Sequence, residues 1–311
     1  MAVGAEKQKD MIVKICAGLL ETGEVDTVIG YTAGVAECMR IPYIFSDPAD
    51  AQNLEWDQGC SPNLCGYLHG RKDRVGIVAK PCDVRGIVNY LVEKQIMRDR
   101  VYIIGVDCIG MNDAHGEATP WCSNCTVKVP PIFDVRVKKM DIVDGTSSKC
   151  DSDGTSNGGS AGNDADTGNA DETKDCGAGG GLSGNLEKFQ NEIKKCILCY
   201  SCRQECYGCY CSVCFMDRSE PNWLPSAPDA GTKMVYHLGR AMHLSGRCVE
   251  CGACERVCAS GVDVRYIIRN VTGFIEEVFG YRTGLDTEAK PAMADFSADD
   301  PEIGFFGGDG E

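Results

Sequence analysis

The stretch Cys196-Ile-Leu-Cys199-Tyr-Ser-Cys202-Arg-Gln-Glu-Cys206 decides the fold of the second half of the chain. A second stretch, Cys248-Val-Glu-Cys251-Gly-Ala-Cys254-Glu-Arg-Val-Cys258, repeats its cysteine spacing. Three cysteines separated by two residues each wrap a loop around one side of a polynuclear centre. The fourth cysteine lies further along a helix that points away, so each run is expected to supply its fourth ligand to the other run's centre.

This spacing is typical of bacterial ferredoxins with two [4Fe–4S] clusters. The predicted ligands are Cys196, Cys199, Cys202 and Cys258 for one cluster, and Cys248, Cys251, Cys254 and Cys206 for the other. A pair of structural zinc sites is the alternative, but zinc usually takes two separated cysteine pairs per site, which complete four-cysteine runs fit poorly. Ferredoxin runs usually end in Cys-Pro, whereas Tyr207 and Ala259 follow here, so the turn at that point departs from the usual one.

Three more cysteines follow the first run and lie within a span of six residues, at Cys209, Cys211 and Cys214. Thiols at this spacing could ligate another metal with a fourth ligand from elsewhere in the chain. They could also be unligated residues that pack beside the clusters, because a free cysteine behaves as a small hydrophobe. The sequence leaves both interpretations open.

The acidic charge of the chain is confined to two stretches. The 311 residues carry a formal net charge of −15, and residues 144–185 and 286–311 contribute −6 and −7 of it. The rest of the chain is close to neutral. A basic surface for nucleic acid is therefore not expected.

Twenty-one cysteines, most of them in tight clusters, point to metal ligation in a reducing compartment instead of disulfide bonds. The first ten residues are polar and lack the apolar core of a signal peptide. The apolar runs are too short to span a bilayer. We therefore expect a cytoplasmic protein without membrane insertion.

The chain divides into four predicted regions. Residues 8–143 read as an α/β domain, in which helical spacing over 84–97 separates apolar strands at 75–79 and 101–106, so the two strands should be parallel. Residues 144–185 are rich in Gly, Ser and Asp and read as a flexible linker. Residues 186–280 read as an α-helical, cysteine-dense domain of the dicluster ferredoxin-like type, and residues 281–311 as an acidic tail. Apolar spacing in the cysteine-dense domain predicts three helices, which begin near 186 and cover 234–245 and 267–278.

Four further cysteines are expected to converge in the first domain. Cys82 and Cys108 each follow a predicted strand, and the carboxyl ends of parallel strands meet at one edge of a sheet. Cys122-Ser-Asn-Cys125 adds a pair downstream. The spacing is consistent with a third [4Fe–4S] cluster and equally with buried, unligated cysteines.

Residues of about 10–143 resemble the coenzyme F420 hydrogenase/dehydrogenase beta-subunit family, which includes F420-linked formate dehydrogenase beta subunits. The resemblance is carried by the segments 78–85 (VAKPCDVR), 105–108 (GVDC) and 122–128 (CSNCTVK). It implies that Cys82, Cys108, Cys122 and Cys125 hold one [4Fe–4S] cluster beside a flavin. The segment 237–248 is similar to the ferredoxin portion of beta subunits and of related proteins of heterodisulfide-reductase-type complexes.

A bound FAD is possible on this resemblance. Lys80 and Arg85, near a predicted helix N-terminus, could hold an anionic phosphate, and could equally be solvated charges or donors that tune a cluster. The glycine-rich N-terminal segments of flavin-bearing members have no counterpart here, and residues 60–65 (CSPNLC) occupy the corresponding region.

The remaining candidates are read as structural. His237 and His243 lie six residues apart and do not share a helix face, so we expect polar core or surface residues. Cys16 and Cys38 are expected to be core thiols. The sequence shows no hydrolase motif and no phosphate-binding P-loop, so no residue is predicted to be catalytic.

The sequence therefore predicts an electron-transfer subunit of a larger cytoplasmic oxidoreductase. Catalytic and flavin-containing partner subunits, as in a formate dehydrogenase, a hydrogenase or a heterodisulfide-reductase-like complex, would carry out the substrate chemistry. Two alternatives are a flavoprotein that exchanges hydride directly with coenzyme F420 and a cluster-based redox sensor.

Overall fold

A five-stranded sheet organises the first part of the chain in the computed structural model, which describes residues 2–138, 182–218, 220 and 228–290. The strands are β1 (Thr27–Ala33), β2 (Arg40–Phe45), β3 (Val75–Ala79), β4 (Val101–Val106) and β5 (Val135–Val137). The helices are α1 (Ala2–Glu21), α2 (Pro81–Val92), α3 (Pro120–Ser123), α4 (Leu182–Lys195), α5 (Ser201–Gln204), α6 (Ala230–Leu244), α7 (Ala253–Arg256) and α8 (Val264–Phe279). Short 3-10 segments cover Pro48–Asn53, Cys65–Leu68, Arg98–Arg100 and Phe215–Asp217.

The sheet has the order β2-β1-β3-β4-β5 and is parallel except for β2, which pairs antiparallel with β1. Every residue of β3 is buried, as expected of a central strand with both faces covered. The strands predicted at 75–79 and 101–106 are confirmed, as is their parallel pairing through a helical crossover. The register places Ala79 opposite Gly105, so the chain leaves both strands at the same edge.

Helix α2 is shorter than its sequence pattern predicts. The apolar spacing suggests a helix over 84–97, whereas α2 ends at Val92. Lys94 has a φ of 56°, which a helix cannot accommodate, and this residue turns the chain towards β4. The pattern therefore locates the helix correctly and overestimates its length.

Cys16 and Cys38 have different surroundings. Cys16 is completely buried with Ile12 and Leu19 against the sheet, which confirms the expected core position. Cys38 is exposed, so the expectation of a core thiol is wrong there. It lies in the turn that joins β1 to β2, where the chain reverses at the surface.

Helices α4, α6 and α8 pack around a second core in the cysteine-dense part of the chain. The three helices that the sequence predicts in this region are confirmed. Helix α4 begins at Leu182, within the predicted linker, whose residues up to 181 lie outside the described ranges. That this helical arrangement is a dicluster ferredoxin fold stays a prediction.

The two parts of the chain are joined by buried hydrogen bonds from α2. Arg85 is 5% exposed and donates to the carbonyl oxygens of Thr283 at 2.9 Å and Val249 at 3.2 Å. The hydroxyl of Tyr90 donates to the carbonyl oxygen of Tyr207 at 2.6 Å. The chain is therefore packed at least as far as Thr283, inside the segment predicted as tail, whose residues from 291 onward lie outside the described ranges.

Within the described part of the chain, the helices are too short or too polar to cross a lipid bilayer.

Replacing Arg85 with Ala should lower the free energy of unfolding by about 2–5 kcal/mol, because the carbonyl groups of Val249 and Thr283 lose a buried charged donor. The measurement is the midpoint of urea unfolding under anaerobic conditions. Arg74→Ala is the matched control, since the Arg74 side chain is 52% exposed and its ion pair should contribute less than about 1 kcal/mol. Equal shifts for the two variants would contradict a joining role for Arg85.

Candidate metal centre

The two cysteine runs adopt the same local conformation as well as the same spacing. In the first run, Leu198 and Tyr200 have positive φ angles of 56° and 61°. In the second run, Glu250 and Gly252 occupy the equivalent positions, with φ angles of 60° and 74°. Left-handed residues are uncommon outside glycine, so their repetition at matching positions indicates that both loops curl around the same kind of centre.

Backbone N–H groups point at the first cysteine sulfur of each run. Leu198 donates to the Sγ of Cys196 at 3.3 Å, and Glu250 donates to the Sγ of Cys248 at 3.4 Å. In the first domain, Gly110 donates to the Sγ of Cys108 at 3.4 Å. Such donors stabilise negative charge on sulfur, which is the form of the side chain that binds metal.

The fourth cysteine of each run lies with the first three of the other. Cys206 is in the electrostatic environment of the three thiols that begin the second run, Cys248, Cys251 and Cys254. Cys258 is likewise a neighbour of Cys196, which also interacts with Cys202. Cys199 lies at the exposed end of its set, 3.5 Å from the hydroxyl of Ser201. The structure therefore brings together the groups that the exchange of fourth cysteines predicts.

Burial keeps thiols of this kind protonated, so metal binding would have to remove their protons. It raises the pKa of Cys248 and Cys251 to about 12, against an ordinary value of 9.0. A thiol in such surroundings stays protonated at neutral pH unless a cation is bound to it. Loading these sites with iron would therefore release protons.

Arg240, on α6, is a buried cation at the meeting point of the two runs. It is 3% exposed, and its Nη2 donates to the carbonyl oxygen of Cys202 at 2.9 Å. Its Nε and Nη1 have no hydrogen-bond partner among the described residues. Burial opposes its charge, but its interactions with the sulfurs of Cys206, Cys209 and Cys254 outweigh that effect and raise the pKa of the guanidinium.

This environment fits an anionic metal cluster. A buried guanidinium with unused donors is costly unless negative charge lies beside it, and neutral thiols would not supply that charge. Thiolate-ligated iron–sulfur clusters would supply it and would also offer sulfur acceptors for the free N–H groups. The hydroxyl of Tyr236, one turn earlier on α6, lies 3.3 Å from the Sγ of Cys202 and adds a further polar contact.

The histidines of α6 occupy the positions that the sequence suggests. His237 is buried, and burial together with the nearby charge of Arg240 lowers its pKa to about 4, so its ring is neutral. His243 is exposed and makes an edge-on contact with the ring of Phe215. His237 is thus a polar core residue and His243 a surface residue, as expected, and the absence of metal ligation at these positions stays a prediction.

The four cysteines of the first domain meet at the sheet edge. Cys82 lies in the first turn of α2, Cys108 follows β4 directly, and Cys122 and Cys125 lie in and just after α3. All four border one cavity of about 50 Å³. The convergence predicted from the parallel strands is therefore present, and cluster ligation by these residues stays a prediction.

Lys80 and Arg85 border the same cavity and are both buried, so the alternative of solvated charges is wrong. Lys80 is 1% exposed, forms an ion pair with Asp83 at 2.9 Å, and contacts the hydroxyl of Tyr31. Burial opposes the charge of Lys80, but Asp83 and Cys82 outweigh it and raise its pKa. Their predicted role in binding a cofactor phosphate is not settled by these contacts.

The second run packs directly on the first-domain cysteines, which the sequence did not predict. Cys251 borders the same cavity as Cys82 and Cys108, and it interacts electrostatically with Cys82. Gly252 abuts the indole ring of Trp121 so closely that a Cβ there would overlap the ring. Two of the three cysteine sets are thus neighbours across the boundary between the predicted domains.

Among the described residues, no three His, Cys, Asp or Glu side chains gather closely enough to hold a single metal ion. A zinc site would need four ligands around one ion. In a cubane each thiolate binds a different iron, so its ligands stand further apart.

Curated relatives resemble the chain. The F420-dependent formate dehydrogenase subunit beta of Methanocaldococcus jannaschii is 30% identical over 110 residues, which cover 34% of this chain and only 28% of that relative. The F420-dependent formate dehydrogenase 1 subunit beta of Methanococcus maripaludis is 24% identical over 360 residues, which cover 88% of this chain and 90% of that relative. No protein-family model matches the chain. The resemblance to formate dehydrogenase beta subunits predicted from the sequence is confirmed, at low identity.

The contact between Gly252 and Trp121 can be tested by a pair of glycine substitutions. Gly261→Ala adds a Cβ at a φ of +60° with no atom within 4 Å, so it should cost only the left-handed strain of about 1–2 kcal/mol. Gly252→Ala carries the same strain and also displaces the indole, which should cost a further ~1–3 kcal/mol. The difference between the two urea midpoints reports the packing. Indistinguishable midpoints would show that the second run does not press on Trp121.

Proposed function

We propose that this chain is an iron–sulfur electron-transfer subunit of a larger oxidoreductase complex. The observation that carries the proposal is that cysteines from separate parts of the chain lie close together. Cys206 lies near Cys251, Cys258 lies near Cys196, and one cavity is bordered by Cys82, Cys108, Cys122 and Cys125. Iron–sulfur clusters on these sets would supply reversible one-electron chemistry. A reducing cytoplasm suits a chain whose thiols must remain available to iron.

The contacts between sets suggest the order of the relay. The set at the sheet edge touches the set that begins the second run, through Cys82 and Cys251. Arg240 lies between that set and the set of Cys196, Cys199, Cys202 and Cys258. It interacts with Cys254 in the former and with the carbonyl oxygen of Cys202 in the latter. The latter set ends at the exposed Cys199. Electrons would therefore pass between the sheet edge and the surface beside Cys199.

The side chains around the sulfurs would set the potentials of the relay. Hydrogen bonds and positive charge near a cluster favour its reduced, more negative state. Leu198 and Glu250 donate backbone N–H groups to sulfur, and Arg240 adds a buried positive charge. These groups are preformed by the local fold, so they would tune each centre without rearrangement.

The substrate chemistry is assigned to partner subunits. The curated relatives are named as beta subunits of F420-dependent formate dehydrogenases, which supports an assembly with catalytic and flavin-containing chains. Lys80 and Asp83, which lie beside the sheet-edge set, form a buried ion pair with each other. The chain is accordingly proposed to conduct electrons between partners.

Cys82→Ser should remove one cluster, because serine replaces a thiolate at the sheet edge. Relative to the wild type, anaerobically purified protein should lose about four irons and four sulfides per chain, while the signals of the other clusters persist. Cys38→Ser, at an exposed cysteine outside the sets, is the control and should retain full iron. Unchanged iron in Cys82→Ser, or loss of every cluster, would contradict the assignment of an independent first-domain site.

Arg240→Gln should lower the reduction potential of the cluster on Cys206, Cys248, Cys251 and Cys254, because a buried positive charge is removed. An anaerobic redox titration followed by electron paramagnetic resonance measures the shift, and iron content shows whether the cluster is retained. Arg203→Gln is the control, since Arg203 is paired with Asp217 nearer the surface. A variant with full iron and an unaltered potential would remove Arg240 from the tuning of the relay.

A further inference from the structure

Three of the nine cysteines that the three sets leave over follow the first run within a short loop. Cys209, Cys211 and Cys214 follow α5 in a loop that ends in the 3-10 segment Phe215–Asp217. Cys211 is exposed, and Cys209 and Cys214 are partly buried. Cys209 packs against the second core, but an exposed thiol does not fill a core, so packing as a small hydrophobe does not account for Cys211.

All three thiols border one cavity of about 180 Å³. Of the described residues that line it, none belongs to the twelve cysteines of the three sets. His243 also lines the cavity, and its ring meets Phe215 at a centroid distance of 5.2 Å. This histidine has no ligand partner on its own helix, whereas the fold places it at the same cavity as three cysteines.

The walls of the cavity are cationic. Arg203, Arg240 and Arg247 line it, with Asp217 as the acidic residue. Arg203 is neutralised by Asp217 at 2.9 Å and Arg247 by Glu93 at 2.8 Å. Arg240 has no such carboxylate, and its buried Nε and Nη1 are without partners in the described part of the chain. One guanidinium in the wall of this cavity is therefore buried without a carboxylate partner among the described residues, which favours an anionic occupant.

The three thiols of the loop are also linked to the set formed by Cys206, Cys248, Cys251 and Cys254. The backbone N–H of Cys209 donates to the carbonyl oxygen of Cys206 at 3.0 Å. Arg240 interacts with the sulfurs of both residues. A centre on Cys209 would thus lie next to a proposed cluster ligand and could exchange electrons with it.

We propose that Cys209, Cys211 and Cys214 hold a fourth iron–sulfur cluster, with His243 as its remaining ligand. A polynuclear centre fits better than a single ion, because no three ligating side chains of the described residues close around one ion. The inference rests on the proposed function. When the cluster on the second set is oxidised by one electron, the fourth cluster is reduced by that same electron. Exposed Cys211 makes this centre a surface terminus of the relay.

Iron and acid-labile sulfide counts on the full chain, purified anaerobically, test the proposal. The wild type should hold about sixteen irons, and the double variant Cys211→Ser/Cys214→Ser should hold about four fewer. Cys38→Ser is the matched control at another exposed cysteine and should keep the wild-type count. About twelve irons in the wild type, or no loss in the double variant, would overturn the fourth site. Zinc or no metal in the wild type would overturn the proposed function as well.

A second variant tests the histidine. His243→Ala should leave the three main clusters intact and change or abolish the paramagnetic signal of the cluster that the double cysteine variant loses. His243 is exposed, so the substitution should not unfold the helix. A spectrum identical to that of the wild type would exclude His243 as a ligand.

Discussion

Sulfur buried beside a buried positive charge is the constraint on which the rest of this structure depends. Cys196, Cys202 and Cys254 belong to the second core, where aliphatic side chains usually provide the packing. Burial alone would keep the thiols of Cys196 and Cys254 neutral, yet Arg240 lies beside Cys254 with donors that find no acceptor in the described residues. Thiolates bound to metal resolve both problems, since they are anionic and remain so when buried. Folding of this part of the chain and loading with iron are therefore expected to be linked.

In the first part of the chain, the parallel sheet brings cysteine sulfurs together. Because β3 and β4 run in register, Cys82 and Cys108 leave the sheet at one edge without any contribution from cluster-binding loops. Helix α2 then carries Arg85 into the second half of the chain, where its hydrogen bonds hold the segment at Val249 close to that edge. The same packing brings Cys251 to the first-domain cavity. One helix thus positions two cysteine sets relative to each other.

Local sequence patterns predicted what depends on local structure. The strands at 75–79 and 101–106, the three helices of the second part and the convergence of four cysteines at a sheet edge all follow from periodicity, spacing and the geometry of parallel strands. The length of α2 was overestimated, because apolar spacing continues past the left-handed Lys94 that ends the helix. Cys38 was misplaced because its neighbours are apolar although it lies in a turn. The contacts of Arg85 and of Gly252 with Trp121 join residues more than a hundred positions apart, and no local pattern encodes them.

The central claim is that iron lies within the three sets of thiols. The most direct measurement is an anomalous difference map at the iron absorption edge, from crystals of anaerobically purified protein. The account predicts iron density enclosed by Cys82, Cys108, Cys122 and Cys125 and by each of the two sets that exchange their fourth cysteine. Thiols at the sheet edge without iron density, or a signal at the zinc edge within the paired runs, would contradict it.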